Sequence, residues 1–162
     1  MSNDGLISYS DSDYAEDRDD RHSTSGFVFL LAGGAVSWAS RRQPTVSASS
    51  TEAEYKAASD ACRQLMWLRT FGDELGDDIS RPTPLCVDNQ GSIFLAENPV
   101  IDRRSKHVDV RYHFIRKQCE LKTVEVFYVS TEDQLADALT KSVSFSILDR
   151  FRKHIGLVSS AS

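Results

Sequence analysis

The chemistry this chain could perform rests on its carboxylates, and their spacing against the apolar residues separates one from another. In "SASSTEAEYKAA", residues 47–58, Glu52 and Glu54 directly follow a Ser/Thr cluster that marks a helix start. On a helix Glu52 shares a face with Lys56, Ser59 and Arg63, which reads as a solvent face, with Glu52 and Lys56 spaced for an i,i+4 ion pair. Glu54 lies almost opposite, in line with Ala57, Ala58, Ala61, Leu65 and Leu68, the face that packs on a sheet. A carboxylate there must be paired, hydrogen-bonded or bound to a metal. At a helix N-terminus it also has free amide groups within reach. Capping or a helix-dipole role accounts for Glu52, whereas both readings stay open for Glu54.

Other acids sit at the ends of apolar runs. Asp11 and Asp13 close the stretch "LISYSDSD" (6–13), and Asp88 follows Leu85-Cys86-Val87. Strand-terminating acids lie where crevices form in α/β sheets. If the first and fourth strands are parallel neighbours, Asp11 and Asp88 come side by side, and a divalent cation is the simplest relief of their repulsion. A strand-end turn residue is the ordinary alternative for each. Asp133 sits behind Ser130 and Thr131, where capping explains it. Asp137 is too far along to cap and faces away from Leu135 and Leu139, so a plain surface residue remains an alternative.

The elements that must position these groups follow from periodicity. "LISYSDSD" reads as a strand, and "SGFVFLLAGGAVSWAS" (25–40) as a hairpin turning at Gly33–Gly34. Helical spacing runs from about Thr51 to Leu75 and stops at Gly76. "TPLCVD" (83–88) is a short buried strand, followed by helices near 89–97 and 106–121 with a loop around Asn98–Pro99. "VEVFYV" (124–129) is a strand, "TEDQLADALTK" (131–141) a helix, and 145–156 an amphipathic stretch ending at Gly156. The order β-β-β-α-β-α-α-β-α predicts an α/β fold, a mixed sheet with helices packed on it. It is read as a single domain over 1–162, with a core of about 5–142 and a helical tail at 143–162.

Composition bounds the function. With 40% hydrophobic and 27% charged residues in 162, the chain can bury a sizeable core. No apolar run approaches a membrane span, no signal-peptide profile opens the chain, and Cys62, Cys86 and Cys119 lack metal or disulfide spacing. These features predict an intracellular protein without a membrane partner. A net charge of −5 argues against phosphate binding, but the charge is polarised. Acids crowd 11–20, and Arg103, Arg104, Lys106, Arg111, Arg116 and Lys117 crowd 103–117, so a cation site and a phosphate-binding surface could share the domain; two solvated faces are the plainer alternative.

Five stretches carry a resemblance: "YSDSDYA" (9–15), "STSGFVFLLAGGAVSWASRRQPTVSASSTEAEYKAAS" (23–59), "CVDNQGSIFLAENP" (86–99), "RSKHVDVRYHFIR" (104–116) and "YVSTEDQLADALTK" (128–141). In this order and spacing they resemble the ribonuclease H domain of copia-type LTR-retrotransposon polyproteins, a type 1 ribonuclease H. The resemblance implies a ribonuclease H-like five-stranded mixed sheet flanked by helices, and a site of four carboxylates: Asp11, Glu54, Asp88 and Asp137. These would hold two Mg²⁺ ions, with Mn²⁺ able to substitute, and hydrolyse the RNA strand of RNA–DNA hybrids by a two-metal mechanism. Gln90 matches the position that contacts the hybrid's minor groove, and Ser50 and Thr51 occupy positions held by asparagines in bacterial relatives, with helix capping as the competing role. The basic stretch, Arg104 and Lys106 included, is the candidate for backbone contact. His107 belongs to the copia pattern without a derivable role.

Two departures from the cellular enzymes qualify this expectation. The loop before Asp137 is short and lacks their histidine, and no basic protrusion is evident. The isolated domain is therefore expected to grip substrate weakly, with a reverse transcriptase domain of the same polyprotein supplying the rest. A catalytically weak or silent ribonuclease H-like interaction module is the alternative function. The resemblance places the protein in the cytoplasm, within a virus-like particle, or in the nucleus.

Overall fold

The computed structural model describes residues 5–14, 20–76, 78, 80–91, 93 and 106–157, with backbone only for 106–112. Arg104, the side chains of Lys106 and His107, Glu16, Asp17, Asp19 and the Asn98–Pro99 loop lie outside the described residues. Strands β1 (Ile7–Asp13), β2 (Thr24–Leu31) and β3 (Gly34–Arg42) form an antiparallel meander. The two-residue turn between β2 and β3 is Ala32–Gly33, one residue earlier than the expected Gly33–Gly34; both residues are left-handed (φ 50° and 79°), and Gly34 already belongs to β3. Helix α1 (Ser50–Glu74) then crosses to β4 (Thr83–Val87). Helix α2 (Lys106–Glu120) leads into β5 (Val124–Tyr128). The sheet order is β3-β2-β1-β4-β5, with β4 parallel to both β1 and β5. This is the five-stranded mixed sheet expected of the ribonuclease H-like class.

Each face of the sheet carries its own core. On one, Tyr55, Ala58, Ala61, Cys62 and Leu65 of α1 and Ile115 of α2 pack on Phe27, Phe29, Leu85, Val87 and Val124. On the other, Val28 and Leu30 meet Leu135, Leu139, Phe151 and Ile155. The last two belong to α3 (Phe145–His154) and its C-terminal cap, and the Ala35 amide donates to the Ile155 carbonyl at 3.0 Å. None of the described helices is long and apolar enough to cross a membrane.

Two local expectations are corrected. The stretch 131–141 is not an α-helix but two 3-10 turns, Thr131–Asp133 and Leu135–Leu139. Gln134 between them is extended (φ −74°, ψ 101°), because its side chain serves the sheet: Nε2 donates to the Ser10 carbonyl at 3.0 Å. Nor does Glu52 lie on a solvent face. Its pair with Lys56 forms at 2.9 Å, but Lys56 is buried, donating to the Ser47 hydroxyl at 2.9 Å and the Val46 carbonyl at 3.3 Å. The connection from β3 folds over this face, anchored by buried Gln43, whose Nε2 donates to the Ser25 hydroxyl and the Ala53 carbonyl at 2.9 Å each.

The second 3-10 turn lies directly on β2. A Cβ at Gly26 would stand 2.6 Å from Thr140 Cγ2 and 3.0 Å from Leu139 Cβ, distances that side chains do not tolerate. Gly26 is also the antiparallel partner of Asp11, so its missing side chain is what lets Thr140 reach that strand position. Gly26→Val should destabilise the fold by about 2–3 kcal/mol through overpacking, read from the urea midpoint. An unchanged midpoint would mean that the turn does not seat on β2.

Candidate active site

Residues along β1 alternate between the two cores. Leu6 packs with the α1 cluster, while Ile7 and Tyr9 pack with the opposite one. Ser12 accordingly reaches Glu54 of α1: its amide and hydroxyl both donate to Glu54 Oε1 at 3.2 Å. Asp11 turns to the other side, where Thr140 Oγ1 donates to its Oδ2. β4 runs parallel to β1 and places Asp88 just beyond its last residue, with Thr131 Oγ1 donating to Asp88 Oδ2 at 3.1 Å. Asp11, Glu54 and Asp88 thus offer ligand oxygens that all lie within 4.8 Å of one another. The parallel pairing of β1 and β4 creates the adjacency of Asp11 and Asp88 that the sequence pattern made conditional.

Asp137 joins this cluster through a cation. Lys141 Nζ lies 2.9 Å from Asp137 Oδ1 and 3.6 Å from Asp11 Oδ2. Burial opposes the Lys141 charge, but the bond to Asp137 and the fields of Asp11, Asp137 and Asp88 raise its pKa on balance. Sequence reasoning passed over Lys141 and Thr140; the signal for the former was its i,i+4 spacing from Asp137.

Ser50, Thr51 and Gln90 lie at the start of α1 and just after β4. Ser49, not Ser50 or Thr51, caps α1: its hydroxyl accepts from the Glu52 amide at 3.1 Å, while Glu52 Oε2 accepts from the Ala48 amide at 2.9 Å. Ser50 is exposed. Thr51 packs against the turn after β4, where a Cβ on Gly91 would sit 3.2 Å from both Thr51 Oγ1 and Cγ2. Gln90, beside that contact, is exposed.

Electrostatics decide what this cluster can hold. Asp11 is 1% exposed and Glu54 7%, and Asp11 Oδ1 and Glu54 Oε2 have no hydrogen-bond partner among the described residues. Desolvation, then the charges of Asp11 and Asp88, push Glu54 up to about 9 despite the Ser12 bonds. Desolvation pushes Asp11 up to about 7, with Asp137 and Asp88 adding to the rise and Thr140 and Lys141 opposing it. Buried oxygens without donors, all from carboxylates, suit a hard divalent cation such as Mg²⁺ or Mn²⁺; the set contains none of the nitrogen or sulfur donors of typical zinc sites. The residues present fit the expected ions.

The raised pKa values fix a pH dependence in chelator. The unfolded chain releases these protons near 3.8 and 4.5, whereas the folded state keeps them to about 7 and about 9. Stability therefore falls as pH rises across that interval, by up to ~1.4 kcal/mol per pH unit for each group. Melting temperatures in EDTA should drop between about pH 5 and pH 8.5, and Glu54→Gln should flatten the drop. Parallel curves for the two proteins would contradict the crowding of these acids.

No family model matches the chain. Retrovirus-related Pol polyproteins from transposons RE1 and RE2 of Arabidopsis thaliana are 41% and 42% identical to it over 152 and 153 residues, 94% of this chain in each case. The chain spans about 10% of the length of these curated relatives. Among solved structures, LC11-RNase H1, isolated from compost by a metagenomic approach, aligns with a TM-score of 0.62 at 19% identity, covering 85% of this chain and 93% of that one. The same protein in complex with an RNA/DNA hybrid gives 0.60 at 17% identity, over 84% of this chain and 94% of that one. The foamy viral protease-reverse transcriptase in complex with RNA/DNA hybrid gives 0.57 at 16% identity, over 85% of this chain and 20% of that one. Sequence relatives and fold neighbours agree: the chain belongs to the retrovirus-related Pol polyproteins of copia-type transposons, as a segment with the ribonuclease H fold.

Proposed function

We propose that the domain is a metal-dependent endonuclease that cuts the RNA strand of RNA–DNA hybrids during retrotransposon reverse transcription. The observation that carries this reading is the convergence of Asp11, Glu54 and Asp88, with buried oxygens left unpartnered, in a fold shared with a protein solved on an RNA/DNA hybrid. Asp11, Glu54, Asp88 and Asp137 are the catalytic and metal-holding residues. Two Mg²⁺ ions, replaceable by Mn²⁺, would supply an activated water and charge stabilisation at the leaving 3′ oxygen when bound.

The chain's own residues orient and exclude. Ser12 fixes one oxygen of Glu54 and Thr131 one oxygen of Asp88, which leaves their other oxygens for a cation. Thr140 fixes Asp11 in the same way. Gln90 and Thr51, which are near each other through the close approach of Gly91 to Thr51, are the residues proposed to face the minor groove, where their polar atoms would address 2′-hydroxyls. Ser50 is exposed beside them, and Arg104 and Lys106 are proposed to meet the backbone phosphates. The polyprotein relatives and the foamy viral neighbour support a reverse transcriptase as partner in the same polyprotein. The element's cycle would then place the domain in a cytoplasmic virus-like particle or in the nucleus. Retention of all four acids supports an enzyme over a silent module.

A labelled RNA–DNA hybrid incubated with the domain and Mg²⁺ or Mn²⁺ tests the proposal. Cleavage confined to the RNA strand is expected, with Asp88→Asn slower by at least about a hundredfold. No metal-dependent cleavage, an equally active variant, or equal cutting of duplex DNA would overturn it.

A further inference from the structure

The two oxygens of Asp11 have different surroundings. Oδ2 receives the Thr140 hydroxyl and lies 3.6 Å from the Lys141 ammonium, whereas Oδ1 has no hydrogen-bond partner among the described residues. The same ammonium sits 2.9 Å from Asp137 Oδ1. The Lys141 amide also donates to the Asp137 carbonyl at 3.1 Å, so the backbone holds the two residues in register. One oxygen of Asp11 is therefore left for an ion, while the other is already bonded and lies beside the ammonium that pairs with Asp137. Lys141 is 34% exposed at its side chain against 1% for Asp11, and its flexible stem gives the ammonium a way into water.

We propose that Lys141 is a built-in counter-cation that bridges Asp11 and Asp137 in the metal-free protein and must leave that bridge before a second divalent ion can bind. The proposal rests on the reading of Asp11, Glu54 and Asp88 as a divalent-ion site. In the metal-free state Lys141 does what an ion would do, holding two carboxylates that otherwise repel across the contact between β1 and the second 3-10 turn. A divalent ion arriving at the Asp11–Asp137 pair meets an ammonium already within ion-pair distance of both acids. Like charges so close oppose each other strongly, so loading is stepwise. The first ion enters where Oδ1 is free, and the second binds only at the expense of the Lys141 bridge. Lys141 is in this sense a positioning residue, acting on metal occupancy through Asp11 and Asp137.

The test is calorimetric titration of Mn²⁺ into wild type, Lys141→Met and Lys141→Gln without nucleic acid. Wild type should bind one ion clearly more tightly than the next. Both variants should bind the second ion about tenfold more tightly, with a smaller change in the first. In chelator both should melt below wild type and gain more in melting temperature on adding Mn²⁺. A residue that merely stabilised the fold would lower the melting temperature without moving the second affinity. Unchanged second-ion affinity in both variants overturns the role of Lys141 and leaves the metal site standing. No binding to wild type overturns the metal site itself, and this proposal with it.

Discussion

Two carboxylates, Asp11 and Glu54, are withdrawn from water within reach of a third, Asp88, and the cost of that crowding is the constraint around which the structure is arranged. An isolated buried charge is untenable, so each acid is supported by a specific donor or cation. Ser12 serves Glu54, Thr131 serves Asp88, and Thr140 and Lys141 serve Asp11. These donors come from β1 itself and from the segment after β5. The site is thus a joint product of the strand ends and of a stretch of chain more than a hundred residues away in sequence.

The two faces of the sheet contribute differently. The α1 face is a conventional apolar core, and its helix carries Glu54 to the end of β1 because Ala53, Ala57 and Ala61 are fully buried along it. The opposite face is thinner and closed by 3-10 turns, which pack at a distance that Gly26 makes possible. Asp137, Thr140 and Lys141 stand at i, i+3 and i+4 and meet at one strand position, with the Lys141 amide bonded to the Asp137 carbonyl at 3.1 Å as in a helical turn. The seating of this segment on β2 is the means by which the last acid is brought in.

How far the sequence discloses this depends on whether the cause is local. The separation of Glu52 from Glu54 follows from helix periodicity, and the structure agrees that Glu54 is the one facing the sheet. Burial of Lys56 does not follow, because it comes from the 43–48 connection folding over α1, a tertiary contact without a periodic signature. Ser49, Ser50 and Thr51 are chemically near-equivalent caps, so only the backbone could select Ser49. Asp11 and Asp88 were legible as strand ends, but their adjacency needed the parallel pairing. Asp137 was legible only through family resemblance, since on a helical pattern it faces away from Leu135 and Leu139 like any surface acid.

Gln134 joins these strands in another way. Its amide donates to the Ser10 carbonyl on β1 at 3.0 Å and to the Cys86 carbonyl on β4 at 3.5 Å, across the seam where the antiparallel half of the sheet meets the parallel half. Registered pairing between those strands is brief, Ser8 with Leu85 and Tyr9 with Cys86, so the side chain acts as an extra rung of the ladder. A nascent chain emerging from the ribosome can form the meander and α1 early, but it lacks that rung until residue 134 has been made. Assembly of the acids is thereby tied to synthesis of the stretch that carries Gln134 and Asp137, and a chain stopped before it lacks the finished site.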